Sequence, residues 1–218
     1  MRRLILARHG QTQNNIDRRF TGWADVALTA TGRAEARRLR RRLGEQQIDQ
    51  VYSSDLRRAA ETARIAVAGR GLPVVEVAAL REANFGEWEG LTYDEARARS
   101  PGEFTNLFSR REDFRPPGGE TVLEVRDRVT TFLAEVRRRH ENGVLLVVAS
   151  GGPLQILLAS LFALPLDAHW RLGMGNCNVS IVDFVEDEPL LTLLNDRAHL
   201  RSRQRPVISV PQTGSAYS

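Results

Sequence analysis

The chain of 218 residues contains one cysteine and no lysine. A lone thiol, Cys177, can close no internal disulfide and cannot build a multi-cysteine metal site, which suits a reducing compartment. Its expected role is that of a small buried filler. Without lysine, all 31 basic residues are arginine, set against 27 acidic ones for a net charge of +4 and a sequence pI near 10.1. That balance asks for an anionic partner, and guanidinium forks suit phosphate best. Aromatic residues are sparse, at 6%. None interleaves with the densest basic run, Arg37-Arg38-Leu39-Arg40-Arg41-Arg42, so the run reads as a solvated helix face and not as a nucleic-acid surface. Long apolar stretches are scarce as well. Leu4 to Ala7 is too short to serve as a signal peptide. Val144 to Leu166 has no charged residue and about the length of a bilayer span, but Gly151-Gly152-Pro153 breaks it into a strand, a turn and a helix start. We therefore expect neither a nucleic-acid nor a membrane partner, and a cytoplasmic location.

What remains is an ordinary globular composition, 42% hydrophobic and 27% charged, of a length that suits one domain over residues 1–200. Strands are expected at Leu4–Ala7, Gln50–Ser53, Val74–Val77, Val144–Ala149, Val179–Phe184 and Leu190–Leu194. Helices are expected at Thr29–Leu43, from a cap at Asp55 through Val67, from Thr121 to about His140, and at Pro153–Phe162. Alternation of this kind predicts an α/β fold, a mostly parallel sheet with helices on both faces. Between Phe85 and Pro117 lies an irregular stretch holding Phe85, Trp88, Tyr93, Phe104, Phe108 and Phe114, a candidate lid insertion at about 85–117. Residues 201–218 turn polar and read as a mobile tail.

In such sheets ligands bind beyond the carboxyl ends of strands. Three of those ends are polar. Arg8-His9-Gly10 follows the first strand at once, with Thr12 and Asn15 within a turn. Ser53-Ser54-Asp55 leads into a helix whose first turn carries Arg58, and Ser150-Gly151-Gly152 ends the strand at Val144–Ala149. Together they would place guanidinium groups, an amide, helix N-termini and a histidine around one pocket, which describes a site for a phosphate dianion.

Arg8-His9-Gly10-Gln11-Thr12, Ser54-Asp55-Leu56-Arg57-Arg58-Ala59 and Leu80-Arg81-Glu82-Ala83-Asn84-Phe85-Gly86-Glu87-Trp88-Glu89-Gly90 occur in this order, and the chain resembles the histidine phosphatase superfamily, also called phosphoglycerate mutase-like, over roughly residues 2 to 200. The resemblance implies a cofactor-free, metal-independent enzyme that passes a phosphoryl group through a phosphohistidine. His9 would be the nucleophile. Arg8 and Arg58 would clamp the phosphoryl oxygens, Asn15 and the Gly151 turn would add neutral donors, and Thr21 and Gly22 would belong to a substrate-touching loop. Glu82 would protonate the leaving alkoxide and later activate water. The Phe-Gly-Glu-Trp-Glu-Gly segment at 85–90 points to the phosphatase branch, acting on a small phosphorylated metabolite, over a mutase. Candidate substrates include α-ribazole 5′-phosphate, glucosyl-3-phosphoglycerate and sugar phosphates, with inorganic phosphate as a further ligand. A homodimer is left open.

One position departs from the family. Ser150 stands where a second histidine is usual, so a donor opposite His9 is replaced by a shorter, uncharged one. Losing one such donor costs about 100- to 1,000-fold in turnover. The expectation is an impaired enzyme, read first as an engineered variant that holds substrate or product. A natural enzyme with a compensating group and a phosphate-binding pseudoenzyme are the other readings. A different class of answer makes Ser150 a hydrolase nucleophile, with Asp183 or Asp196 and His199 as partners. Val148 stands against it, two residues before the serine, where the elbow of those enzymes wants glycine.

Overall fold

A computed structural model of the chain describes residues 1–107 and 112–201. Phe108 and all of the expected tail except Arg201 lie outside the described residues. In chain order the elements are β1 (Arg3–Arg8), α1 (Gln13–Ile16), α2 (Ala30–Arg42), β2 (Gln50–Ser53), α3 (Arg57–Ala66), β3 (Val74–Glu76), α4 (Tyr93–Arg99), α5 (Pro101–Leu107), α6 (Val122–Arg139), β4 (Val144–Ala149), α7 (Gly151–Leu161), β5 (Val179–Val185) and β6 (Glu188–Asp196).

Strands covered on both faces read as continuous apolar runs, and β1 and β4 do so because each feeds two cores. Leu4, Leu6, Leu145 and Val147 meet Val125, Val129, Phe132 and Leu133 of α6 and Leu154 and Leu157 of α7. Ile5, Ala7, Leu146 and Val148 meet Ala36 and Leu39 of α2 and Ala59 and Ala63 of α3. Burying a leucine, isoleucine or valine side chain is worth about 1.5–3 kcal/mol, so this central pair fixes the sheet. The six strands lie in the order β3-β2-β4-β1-β5-β6. The first four are parallel, while β5 runs antiparallel to β1 and β6 to β5. The expected α/β architecture, mostly parallel with helices on both faces, is therefore the observed one. Pairing of Arg8 with Ala149 and of Ser53 with Val148 brings the carboxyl ends of β1, β2 and β4 to one edge.

Three details differ from expectation. Asp55 does not cap α3. The N-cap is Leu56, without a side-chain bond, because the Asp55 carboxylate is engaged by Arg81 at 2.5 Å. Helix α7 begins at Gly151, two residues before Pro153, since proline is accommodated in the first turn of a helix. The stretch taken as irregular holds α4, closed by a capping box of Thr92 with Glu95, and α5, which opens on Pro101. These short helices enclose a third apolar cluster, Phe20, Trp88, Ala96 and Phe104 with Phe85 and Phe114 against it, separate from the two sheet cores. Trp88 lies 5.8 Å from Phe104 and 5.9 Å from Phe114 between ring centroids. Among the described residues no helix is long and apolar enough to cross a membrane.

Candidate active site

His9 follows β1 directly, and its backbone is tied down on both sides. Its N–H donates to the Ala149 carbonyl at 2.9 Å, and its carbonyl accepts from the Cys177 N–H at 3.3 Å and from Asn176 Nδ2 at 3.0 Å. The ring is 3% exposed, and its Nδ1 lies 2.8 Å from the Gly10 carbonyl. A carbonyl only accepts, so Nδ1 carries the proton and Nε2 keeps a free lone pair. Burial first, then the charges of Arg8 and Arg58, hold the imidazole pKa well below its ordinary value. The ring is a neutral base with its lone pair fixed in direction.

Arg58, in the first turn of α3, is 1% exposed. Its Nη1 donates to the Ala24 carbonyl at 2.9 Å, and its Nη2 to the carbonyls of Gly22 at 2.7 Å and Thr21 at 3.2 Å and to Ser150 Oγ at 3.3 Å. Arg8 ends β1, and its Nη1 donates to the Met174 carbonyl at 2.7 Å. The Nε of both arginines is buried without a partner. Burial lowers both guanidinium pKa values, and the Glu82 carboxylate is the largest influence opposing it. A buried and a half-buried cation, each with a buried Nε–H left unmatched, can take up an oxyanion, since a buried donor left unpaired costs about 1–3 kcal/mol. Asn15 accepts from the Thr12 N–H at 3.0 Å and from Asn176 Nδ2 at 3.1 Å through Oδ1, which leaves its amide NH2 as the end with hydrogen-bonding capacity. Thr21 and Gly22 present carbonyls to Arg58 and thus serve its placement; the Thr21 hydroxyl is turned onto the Arg19 carbonyl at 3.0 Å.

Glu82 reaches the opposite wall. Its Oε2 accepts from the Gly152 N–H at 3.1 Å and its Oε1 from the Ala83 N–H at 2.9 Å. A Cβ on Gly152 would stand 2.2 Å from Glu82 Oε1, so the second glycine of the turn is set by the carboxylate. Glu82, Arg8, Gly151 and Gly152 line a cleft of about 650 Å³, together with Phe20, Phe85, Tyr93, Phe114 and Trp170, whereas His9, Arg58, Asn15 and Ser150 are not part of its lining. The aromatics of the insertion thus both pack together and face the cleft. Ser150, 2% exposed, is the N-cap of α7 in a relaxed conformation (φ −87°, ψ 174°) and makes no capping bond. A hydrolase elbow holds its serine in a strained turn, and no such turn forms here. Both candidate carboxylates are engaged by arginines, Asp183 by Arg3 at 2.5 Å and Asp196 by Arg42 at 3.1 Å. The serine-hydrolase alternative is therefore not supported by the geometry. Cys177 is buried as expected, and burial drives its thiol pKa up.

Several supporting residues escaped the sequence reading. Met174, Asn176 and Asn178 hold Arg8, His9 and Asn15, the last of the three by accepting the Arg8 N–H at 3.0 Å. They precede β5, whose amino end reaches the site edge because that strand runs antiparallel, so a search of carboxyl ends passes over them. Arg128 of α6 donates to the carbonyls of Ala79, Arg81 and Glu82 at 2.8, 2.7 and 3.0 Å and pairs with Glu120 at 3.0 Å, locking the segment that delivers Glu82. Only its position within an amphipathic helix was visible in the sequence.

The family model described as histidine phosphatase superfamily (branch 1) matches residues 4–197. Phosphoserine phosphatase 1 of Hydrogenobacter thermophilus is 30% identical over 200 residues, which cover 92% of this chain and 95% of that protein. Among solved structures, Bacillus stearothermophilus YhfR superposes with a TM-score of 0.86 at 34% identity, covering 91% of this chain and 99% of that one. The α-ribazole phosphatase of Shigella flexneri gives 0.84 at 31% identity, covering 89% and 96%.

Proposed function

The chain belongs to the histidine phosphatase superfamily, branch 1, and from that premise we propose that it hydrolyses a small phosphomonoester through a phosphohistidine on His9. The observation that carries this reading is the hydrogen bond from His9 Nδ1 to the Gly10 carbonyl. It leaves the Nε2 lone pair free beside two arginines whose Nε groups are unpartnered. In the first step Nε2 attacks phosphorus, the bond from phosphorus to the alcohol oxygen breaks, and the Glu82 carboxyl gives its proton to the departing alkoxide. Arg8 and Arg58 hold the equatorial oxygens as charge spreads over them. In the second step Glu82, now a carboxylate, takes a proton from water as the oxygen attacks phosphorus, and the bond to Nε2 breaks to return neutral His9. The aromatic walls of the cleft receive the apolar part of the alcohol. Phosphoserine and α-ribazole phosphate head the substrate panel, because relatives carry those activities in their names.

Ser150 sets the rate. Its hydroxyl lies 3.3 Å from Arg58 Nη2 and cannot carry charge, so one donor to the transferring phosphoryl group is lost. Ser150→His should raise phosphate release by about 100- to 1,000-fold, read as phosphate liberated from a panel of phosphomonoesters. If neither the parent nor the histidine variant hydrolyses any ester, the proposal fails. A variant that hydrolyses no better than the parent would show instead that another group already compensates at position 150.

A further inference from the structure

We infer that Glu89 is a positioning residue for the phosphate-binding arginine, acting through the loop at residues 21–24; this rests on the proposed role of Arg58. Glu89 Oε1 accepts the Trp23 N–H and Oε2 the Ala24 N–H, both at 2.6 Å, and Oε1 also receives the Phe85 N–H at 3.3 Å. The peptide joining Gly22 to Trp23 is a rigid trans unit. Its N–H faces Glu89, and its carbonyl accepts from Arg58 Nη2 at 2.7 Å. One flat group thus transmits the placement of a carboxylate on one side to a guanidinium on the other. Ala24 adds a second link, through two successive peptide units, with its N–H on Glu89 and its carbonyl on Arg58 Nη1 at 2.9 Å. Between them, the Trp23 indole donates to the Glu82 carbonyl at 3.0 Å, so the same loop touches the residue proposed as the acid. The loop packs closely on this segment: a Cβ on Gly22 would lie 2.2 Å from Glu89 Oε1, 2.6 Å from the Ala83 carbonyl oxygen and 2.8 Å from the Phe85 nitrogen. Chains of hydrogen bonds like these polarise one another and stiffen the arrangement.

Charge and position make opposite demands on Glu89, which makes the inference testable by sign. The carboxylate is one of the anions that act on Arg58, so by charge alone its removal would favour an incoming phosphate. By position, its removal frees the loop and lets the guanidinium drift from the anion. Binding of inorganic phosphate to the full chain, followed by titration calorimetry, separates the two. Glu89→Gln should weaken phosphate binding by about 10- to 100-fold, the loss expected for charge-assisted hydrogen bonds. Glu89→Asp, which keeps the charge but draws the oxygens back from the two N–H groups, should weaken it in the same range. Where Glu89→Gln melts too early for a titration, Glu89→Asp decides. Unchanged or tighter binding in the variants overturns the role of Glu89 while leaving the phosphatase proposal standing. Failure of phosphate to bind the unaltered chain overturns the inference, while turnover by Ser150→His decides the phosphatase proposal separately.

Discussion

His9 is surrounded by groups that disfavour a positive ring: a buried setting, Arg8, and Arg58. Its folded pKa is therefore depressed relative to the unfolded chain, where it is near 6.5. The unfolded state then binds the extra proton across the interval below 6.5, so the contribution of neutral His9 to stability is complete above that pH and is lost as pH falls towards the folded value. Two measurements check this. In phosphate-free protein the His9 ring resonances should show no titration between pH 8 and about 6, and the melting temperature of the parent should fall with acidification more steeply than that of His9→Gln. A ring that titrates at or above its ordinary value would contradict the assignment of an uncharged nucleophile. Of the residues at this scale, His9 and Arg58 could be singled out by their place after a strand and in a first helical turn. Glu82 could not, because one carboxylate among 27 acidic residues has no local signature; only the motif distinguished it.

At the scale of elements, the junction of β4 with α7 is the most constrained part of the site. Arg58 reaches Ser150 on one side of it and Glu82 reaches the Gly152 N–H on the other. Gly152→Ala should displace the Glu82 carboxylate, since the new methyl would fall 2.2 Å from Oε1. Misplacement of a catalytic group by about an ångström costs on the order of 100-fold. We expect kcat of the Ser150→His background to fall by about that factor while the affinity for inorganic phosphate, proposed to rest on Arg8 and Arg58, changes little. Loss of both together would place Gly152 in phosphate binding instead. The helix-start signals read from sequence were weakest at this junction. A glycine pair with proline reads as a break, yet the carboxylate that forces the glycine lies 70 residues away in sequence, and no local pattern records it. The same holds for Asp55, a good cap by residue type that is drawn off by Arg81.

Across the whole molecule, the sheet and its two helical layers follow from patterns that need no partner to be recognised, namely doubly buried strands and amphipathic helices. The antiparallel placement of β5 and β6 is not visible that way, because short apolar strands look alike in either direction, and with it went the Met174–Asn178 segment. The aromatic insertion forms a third core of its own, so it should open independently of the sheet. Trp88→Ala removes a side chain with no exposed surface, a change that typically costs about 3–5 kcal/mol. Hydrogen exchange should accelerate in α4 and α5 and leave β1 and β4 protected, with KM for a bulky ester rising more than KM for a small one; uniform acceleration would mean that the insertion and the sheet unfold as one. The central claim concerns a single atom. Ser150→His protein mixed with a phosphomonoester, quenched at alkaline pH to preserve a phosphoramidate and mapped by mass spectrometry with 31P resonance, should carry its phosphoryl group on Nε2 of His9, with none in His9→Gln. Turnover with the label on another residue, or turnover that survives His9→Gln, would contradict the account.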